Sequence, residues 1–204
     1  MAPVITIREW SQFQGSIVGI KQQREKIAAG LLPPEACPYT SFVIDIVDNL
    51  HGMCLNHICK AKGITYPPKN DFGKTWKEIT NEWTYWLHNL MTLGNVIFIS
   101  HSTTVGMEIQ TESGATAEVD THIPSFSGNK AAQFLDGILS AMGFLSVDKA
   151  GQYVITFRKT SQIGAKDRTD ILSKISPLPT NWDHVAKAYE VQALKMGFEI
   201  QRRN

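Results

Sequence analysis

Apolar and polar positions along the chain fall into helical and extended rhythms, and the alternation between them outlines most of the predicted elements. Over residues 10–29, Trp10, Phe13, Ile17, Ile20 and Ile27 recur at helical spacing, and Gly30 with Pro33 and Pro34 stops the run. Val4-Ile5-Thr6-Ile7 ahead of it reads as a short strand. Phe42, Val43 and Ile44 then follow one another without a polar break and end at Asp45. That run predicts a strand buried on both faces, as in parallel sheets. Asp48 or Asn49 caps a helix reaching about residue 62, with Leu50, Met53, Cys54 and Ile58 as its inner side. After a proline-containing loop, residues 74–93 form a longer helix with Trp76, Ile79, Trp83, Trp86, Leu87 and Leu90 on its apolar side. Val96, Ile97, Phe98 and Ile99 make a second buried strand, which ends at Ser100 and His101. Two such strands separated by helices imply crossovers and a parallel sheet.

Beyond residue 101 the pattern changes. Residues 107–111 and 117–119 read as a hairpin around Glu112-Ser113-Gly114, and 128–142 as a helix carrying Ala131, Phe134, Leu135, Ile138 and Leu139. Strands follow at 143–147 and 153–157, then a basic segment containing Lys166-Asp167-Arg168, then a last helix over 182–196.

The 204 residues allow one good-sized domain or a domain with an appendage. A formal net charge of +1 gives no overall field toward nucleic acid or anionic lipid, although a local patch is not excluded. No apolar run approaches the ~20 residues that span a bilayer. The N-terminus lacks the pattern of a signal peptide, so a cytoplasmic protein is the expectation. Three cysteines, an odd count, suit a reducing compartment. His51, Cys54 and His57 would spread over about 120° of a helix with Cys59 nearly opposite, so this cluster does not converge on one tetrahedral ion.

Several motifs carry candidate chemistry. Gly73-Lys74-Thr75 has the ending of a phosphate-binding loop, but Pro68 stands where the loop needs its first glycine, and a loop rather than a buried strand precedes it. Gly73 therefore reads as a helix opening. Asp45 stands between two readings: an acid at the end of a core strand, or a strand-tip carboxylate facing a ligand, where open α/β sheets place their sites. One strand-tip carboxylate suits Mg2+, which keeps several of its waters. Ser100 and His101 end the second strand and could hold an attacking water or sense a terminal phosphate. Lys166 and Arg168 could reach a phosphate, or could be a solvated charged loop.

The order of these pieces resembles a known family. The run from Phe42 to Leu50, a helix, Gly73-Lys74-Thr75-Trp76, a second helix, Val96 to His101, and Ala165-Lys166-Asp167-Arg168-Thr169 is similar to the phage-encoded AAA/RecA-like ATPases of recombination and single-strand annealing modules. The likeness covers roughly residues 4–179. It implies an α/β fold: a RecA-like P-loop NTPase core with a mostly parallel sheet flanked by helices. It also implies a hairpin insertion at about 104–121 and a helical tail over 180–204. Asp45 would be the Walker B acid and the Mg2+ partner, and Ser100 and His101 would end the sensor strand. Lys166 and Arg168 would meet the ATP of a neighbouring subunit. Ile46 departs from the family's usual threonine.

The larger departure is that no Walker A loop and no P-loop strand occur in these residues, so the expectation is a truncated or split form that binds ATP weakly or not at all. Its missing strand would leave residues 96–99 at an open sheet edge. The resemblance further implies a homo-oligomeric ring or filament, with single-stranded DNA as a possible partner and no membrane. Two alternatives stand beside it: a non-catalytic assembly subunit of such an ATPase, and a metal-dependent phosphohydrolase using Asp45, Asp48 and His101.

Overall fold

The computed structural model describes residues 4–110, 114, 116–125 and 129–198. In chain order the elements are α1 (Trp10–Ala28), β1 (Ser41–Asp45), α2 (Val47–Ala61), α3 (Lys74–Met91), β2 (Asn95–Ile99), β3 (Ser102–Gln110), β4 (Thr116–Pro124), α4 (Asn129–Ile138), β5 (Ala141–Met142), β6 (Phe144–Val147), β7 (Tyr153–Thr156), β8 (Lys166–Asp167), α5 (Ile171–Ile175), β9 (Leu178–Pro179) and α6 (Trp182–Lys195). The architecture is mixed α/β, with parallel and antiparallel pairs. The chain divides into two compact units, Met1–His101 with Ser125–Leu135, and Ser102–Pro124 with Asp136–Asn204.

In the first unit, α1, α2 and α3 build the core that carries β1 and β2. Trp10, Phe13 and Ile17 of α1, Leu50, Cys54 and Cys59 of α2, and Ile79, Trp83 and Leu87 of α3 are buried. Each large apolar side chain so removed from water contributes about 1.5–3 kcal/mol. Trp10 and Trp83 meet at 5.9 Å between ring centroids, and the His51 ring stands edge-on to Trp83 at 5.0 Å. Trp10 Nε1 and Gln14 Nε2 both donate to Glu82 Oε1, at 2.9 and 2.6 Å, so the polar edge of α1 is tied to α3.

The two strands pair in parallel, Ser41 opposite Asn95 through Asp45 opposite Ile99. Entry to β2 is fixed at Gly94, where any side chain would drive into the Thr40 carbonyl that accepts the Asn95 N–H at 2.9 Å. The predicted burial on both faces is not what is found. Phe42, Ile44, Val96 and Phe98 are half-buried, whereas Val43, Ile97 and Ile99 on the other face are 58, 46 and 44% exposed. Unbroken apolar sequence cannot reveal whether a second layer is present, and this pair is covered on one side only. The strand expected at residues 4–7 is also absent: residues 4–8 carry no regular structure, and Val4 and Ile5 are exposed. A β-prone segment makes a strand only when another strand accepts its backbone.

The second unit contains the β3–β4 hairpin, which extends further at its open end than expected. Residues 112 and 113 of its predicted turn lie outside the described residues, as does Gly128 at the predicted start of α4. That helix stops at Ile138 rather than near 142, and Ala141 and Met142 pair instead with Asp167 and Lys166. Strands β6, β7 and β9 form a three-stranded sheet. Phe157, Leu172, Leu178 and Val185 make a small core in which α6 takes part.

Candidate functional site

The parallel register brings Asp45, Ser100 and His101 to one end of the β1–β2 pair, because Asp45 is aligned with Ile99 and the chain beyond β2 continues directly into Ser100 and His101. The first turn of α2 begins two residues after Asp45 and delivers Asp48 to the same end. Asp48 does not cap the helix as its sequence position suggests, since Ile46 is the capping position and no side chain serves it. Its carboxylate instead accepts from His101, with the His101 backbone N at 3.2 Å from Oδ1 and Nδ1 at 2.8 Å from Oδ2. The anion still gains from the helix dipole at the N-terminal turn. The Asp48 side chain is 14% exposed and that of His101 61%, so the acid is the inner member of the pair.

Further bonds hold the His101 backbone. Its carbonyl accepts from the Ser125 N–H at 2.8 Å and from the Ser100 hydroxyl at 2.9 Å. With Nδ1 engaged by a carboxylate, Nε2 is the ring nitrogen left for another partner: an acceptor when the ring is neutral, a donor when it is charged. Asp45 differs from Asp48 in one respect that matters. Its carboxylate is exposed and, among the described residues, makes no hydrogen bond or ion pair.

That carboxylate fits Mg2+, a hard cation that takes one or two acids, phosphate oxygens and several waters. An all-protein metal site is a different matter. Among the described residues no group of three or more His, Cys, Asp or Glu side chains could hold a metal, and His101 and Asp48 are already engaged with each other. Among the described residues the phosphohydrolase alternative therefore finds no three-residue protein ligand set.

The other candidates are placed as follows. Gly73 opens α3 in a left-handed conformation, φ 78°, and the Asp71 carboxylate accepts from the N–H groups of Gly73 and Thr75 at 2.9 and 3.0 Å. The positive end of α3 thus carries its own anion. Hydrogen bonds from Thr75, side chain and backbone, and from Gly73 hold the Asp71 carboxyl below its usual range. In α2, burial lowers the His51 pKa to about 4 and pushes the Cys54 thiol up, with Glu82 adding to the latter. The Cys54 Sγ faces the Ile79 carbonyl at 3.8 Å. These are core groups.

Lys166 and Arg168 lie in the second unit. Lys166 Nζ donates to the Asp136 carbonyl and pairs with the Asp136 carboxylate at 3.2 Å, and Arg168 donates to the Gly137 carbonyl. Both cations therefore close the C-terminal turn of α4, the negative end of that helix. Between them, burial raises the Asp167 carboxyl, but hydrogen bonds from Ser173 and Thr169 outweigh it and the net shift is downward. Ser173 N and Thr169 N each lie 3.0 Å from that carboxylate.

Sequence reasoning assigned Asp48 to a cap in its main reading and so missed it as the fixer of His101. The usable signal was an acid in the first turn after one parallel strand and a histidine just past the tip of the next.

A family model described as an AAA domain matches residues 2–169. No curated protein and no solved structure matches the chain. No helix among the described residues is long and apolar enough to cross a membrane.

Proposed function

The chain belongs to the AAA domain family, an ATPase-like family of nucleotide-binding proteins, and we propose that it forms the acidic wall of a Mg2+–ATP site. In this reading Asp45 is the Walker B carboxylate. The observation that carries it is the open Asp45 carboxylate at the end of a parallel strand pair whose neighbouring tip holds a histidine fixed by Asp48. Mg2+ would neutralise charge on the ATP phosphates. Asp45 would hold the ion and its waters. Ser100 and His101 would border the terminal phosphate, with His101 Nε2 free to orient a water or sense a phosphate oxygen.

No G-x-x-x-x-G-K-[ST] loop occurs in these 204 residues, so the backbone cradle and lysine for the phosphates would come from a segment outside them. The exposed apolar face of β1–β2 supports that arrangement. So does the sheet's limit of two strands among the described residues, since Val43, Ile97 and Ile99 are what further strands and helices would cover. The core would then be RecA-like. Lys166 and Arg168 would act on the nucleotide of a neighbouring copy in a homo-oligomer. Their present acceptors at α4 are mostly neutral carbonyls, and charge-assisted bonds to phosphate are stronger. The order of motifs supports a role in phage DNA recombination or annealing, with single-stranded DNA as the partner.

Two measurements test this. Equilibrium dialysis of the 204-residue chain should find weak or no ATP binding, and micromolar Mg2+-dependent affinity would sink the external phosphate loop. With millimolar Mn2+ and ATP, paramagnetic broadening should centre on the amides of Ile46 and Ser100 and disappear in Asp45→Asn. Broadening indifferent to that substitution would remove Asp45 from the site.

A further inference from the structure

The structure holds an open groove of about 380 Å³ between α6 on one side and Ile175, Leu178 and Pro179 on the other. We propose that it docks a short acidic peptide of a partner protein through apolar anchor residues. Its α6 wall is a single helical stripe of His184, Lys187, Ala188, Val191, Gln192 and Lys195, spaced i, i+3, i+4, i+7, i+8 and i+11. The floor is continuous with the small core of Phe157, Leu172, Leu178 and Val185. Ile175, Ala188 and Val191 extend that apolar surface outward, and Val191 is exposed.

Among the described residues, every fully charged side chain lining the groove is a lysine. The helix does carry acids, Asp183 and Glu190, but neither lines the groove. An apolar trough rimmed by cations alone complements a ligand that is apolar at its centre and anionic along its flanks. The groove is open and shallow, whereas small-molecule sites bury most of their ligand. An extended or helical segment that lays two or three side chains along it fits better. Nucleic acid is disfavoured because, among the described residues, no Phe, Tyr or Trp lines the groove to give bases a stacking platform. The groove also lies beyond residue 169, where the matched family domain ends. Its role is thus separable from nucleotide binding.

The test uses the full chain and a fluorescein-labelled hexapeptide of three acidic residues followed by Leu-Phe-Leu, read by fluorescence anisotropy. Saturable binding with a Kd of order 10 µM is expected in low salt, weakening as salt is raised. The double variant Lys187→Glu, Lys195→Glu should bind about tenfold more weakly or worse, with an unchanged circular dichroism spectrum. Val191→Asp, at an exposed position, should bind no better than that. Peptides with the acids replaced by lysine, or the apolar residues by glycine and serine, should also lose at least tenfold. Equal binding of the basic peptide, or no effect of the double variant, overturns the proposal. Concentration-dependent dimers abolished by Val191→Asp would instead assign the groove to a second copy. Competition by oligothymidine that the lysine variants relieve would assign it to nucleic acid. Both results would likewise overturn it.

Discussion

Asp45 and Asp71 stand two and three residues ahead of a helix in the same unit, and their carboxylates meet opposite fates. Asp71 is spent on the N–H groups of Gly73 and Thr75, so the start of α3 is electrostatically complete. Asp45 is bound to nothing among the described residues, although the start of α2 lies next to it, and Asp48 has turned away to His101. Gly73-Lys74-Thr75 has the ending of a phosphate-binding loop, but its sequence context already reads as a helix opening. What decides between the two is which polar groups are already satisfied, because a donor or acceptor used within the fold must first be released before it can serve a ligand.

The largest effect should separate those two acids directly. In the assembly that supplies the phosphate loop, Asp45→Asn should lower Mg2+-dependent ATP turnover by about 100-fold or more while leaving the urea midpoint unchanged. Asp71→Asn should instead spare turnover, moving the midpoint slightly, if at all. Steady-state phosphate release alongside urea titrations reads both, and the contrast breaks if the two variants exchange phenotypes.

The histidines repeat the contrast and come next. His51 is buried with its pKa lowered to about 4, whereas His101 is exposed beside Asp48. Because the unfolded His51 titrates near 6.5, the unfolded state binds the extra proton between the two values, so stability rises with pH across that window. Falling from pH 7 to pH 5 should cost about 2 kcal/mol through this residue. Urea midpoints for the native chain and for His51→Phe should diverge at pH 7 and pH 5 by that amount. A His51→Phe chain with the same pH slope would show that the loss lies elsewhere. A smaller change is expected at Asp48. Asp48→Ala frees the His101 ring to rotate, and turnover in the same assembly should fall by about tenfold, with His101 ring resonances losing their sensitivity to the position-48 side chain.

Much of this framework was legible in the chain itself. Apolar periodicity placed α1, α2, α3 and α6 and the two parallel strands to within a residue or two, because each buries a regular face. The errors share a physical cause. The end of α4 is set by Lys166 and Arg168, cations roughly thirty residues away in sequence, so no local stop signal marks Ile138. The two-residue strands β5, β8 and β9 exist only through their pairing. The five-residue α5 begins where the Asp167 carboxylate collects N–H groups up to Ser173. At the site, Asp45, Ser100 and His101 were picked out by strand ends alone. The Asp48–His101 bond, spanning 53 residues of sequence, was beyond local reading.

The smallest effect tests the satisfied member of the opening pair. Asp71 is only partly buried, so its replacement by alanine should lower the urea midpoint only slightly, less than the shift that acidification produces through His51. The dependence on pH has a definite sign. Hydrogen bonds lower the Asp71 carboxyl in the folded chain, so its contribution is complete above the unfolded value of 3.8 and fades as pH falls below it. The native chain and Asp71→Ala should therefore differ at pH 7 and draw together as the pH falls below 3.8. Removing the carboxylate also leaves the N–H groups of Gly73 and Thr75 without their acceptor, beside Lys74, at the positive end of α3. Inorganic phosphate at tens of millimolar should then shift those two amide resonances in Asp71→Ala and leave them unmoved in the native chain. Phosphate shifts in the native chain would mean that Asp71 yields readily to an external anion. The start of α3 would then compete with the strand tips as a phosphate site, and the distinction drawn between the two acids would fail.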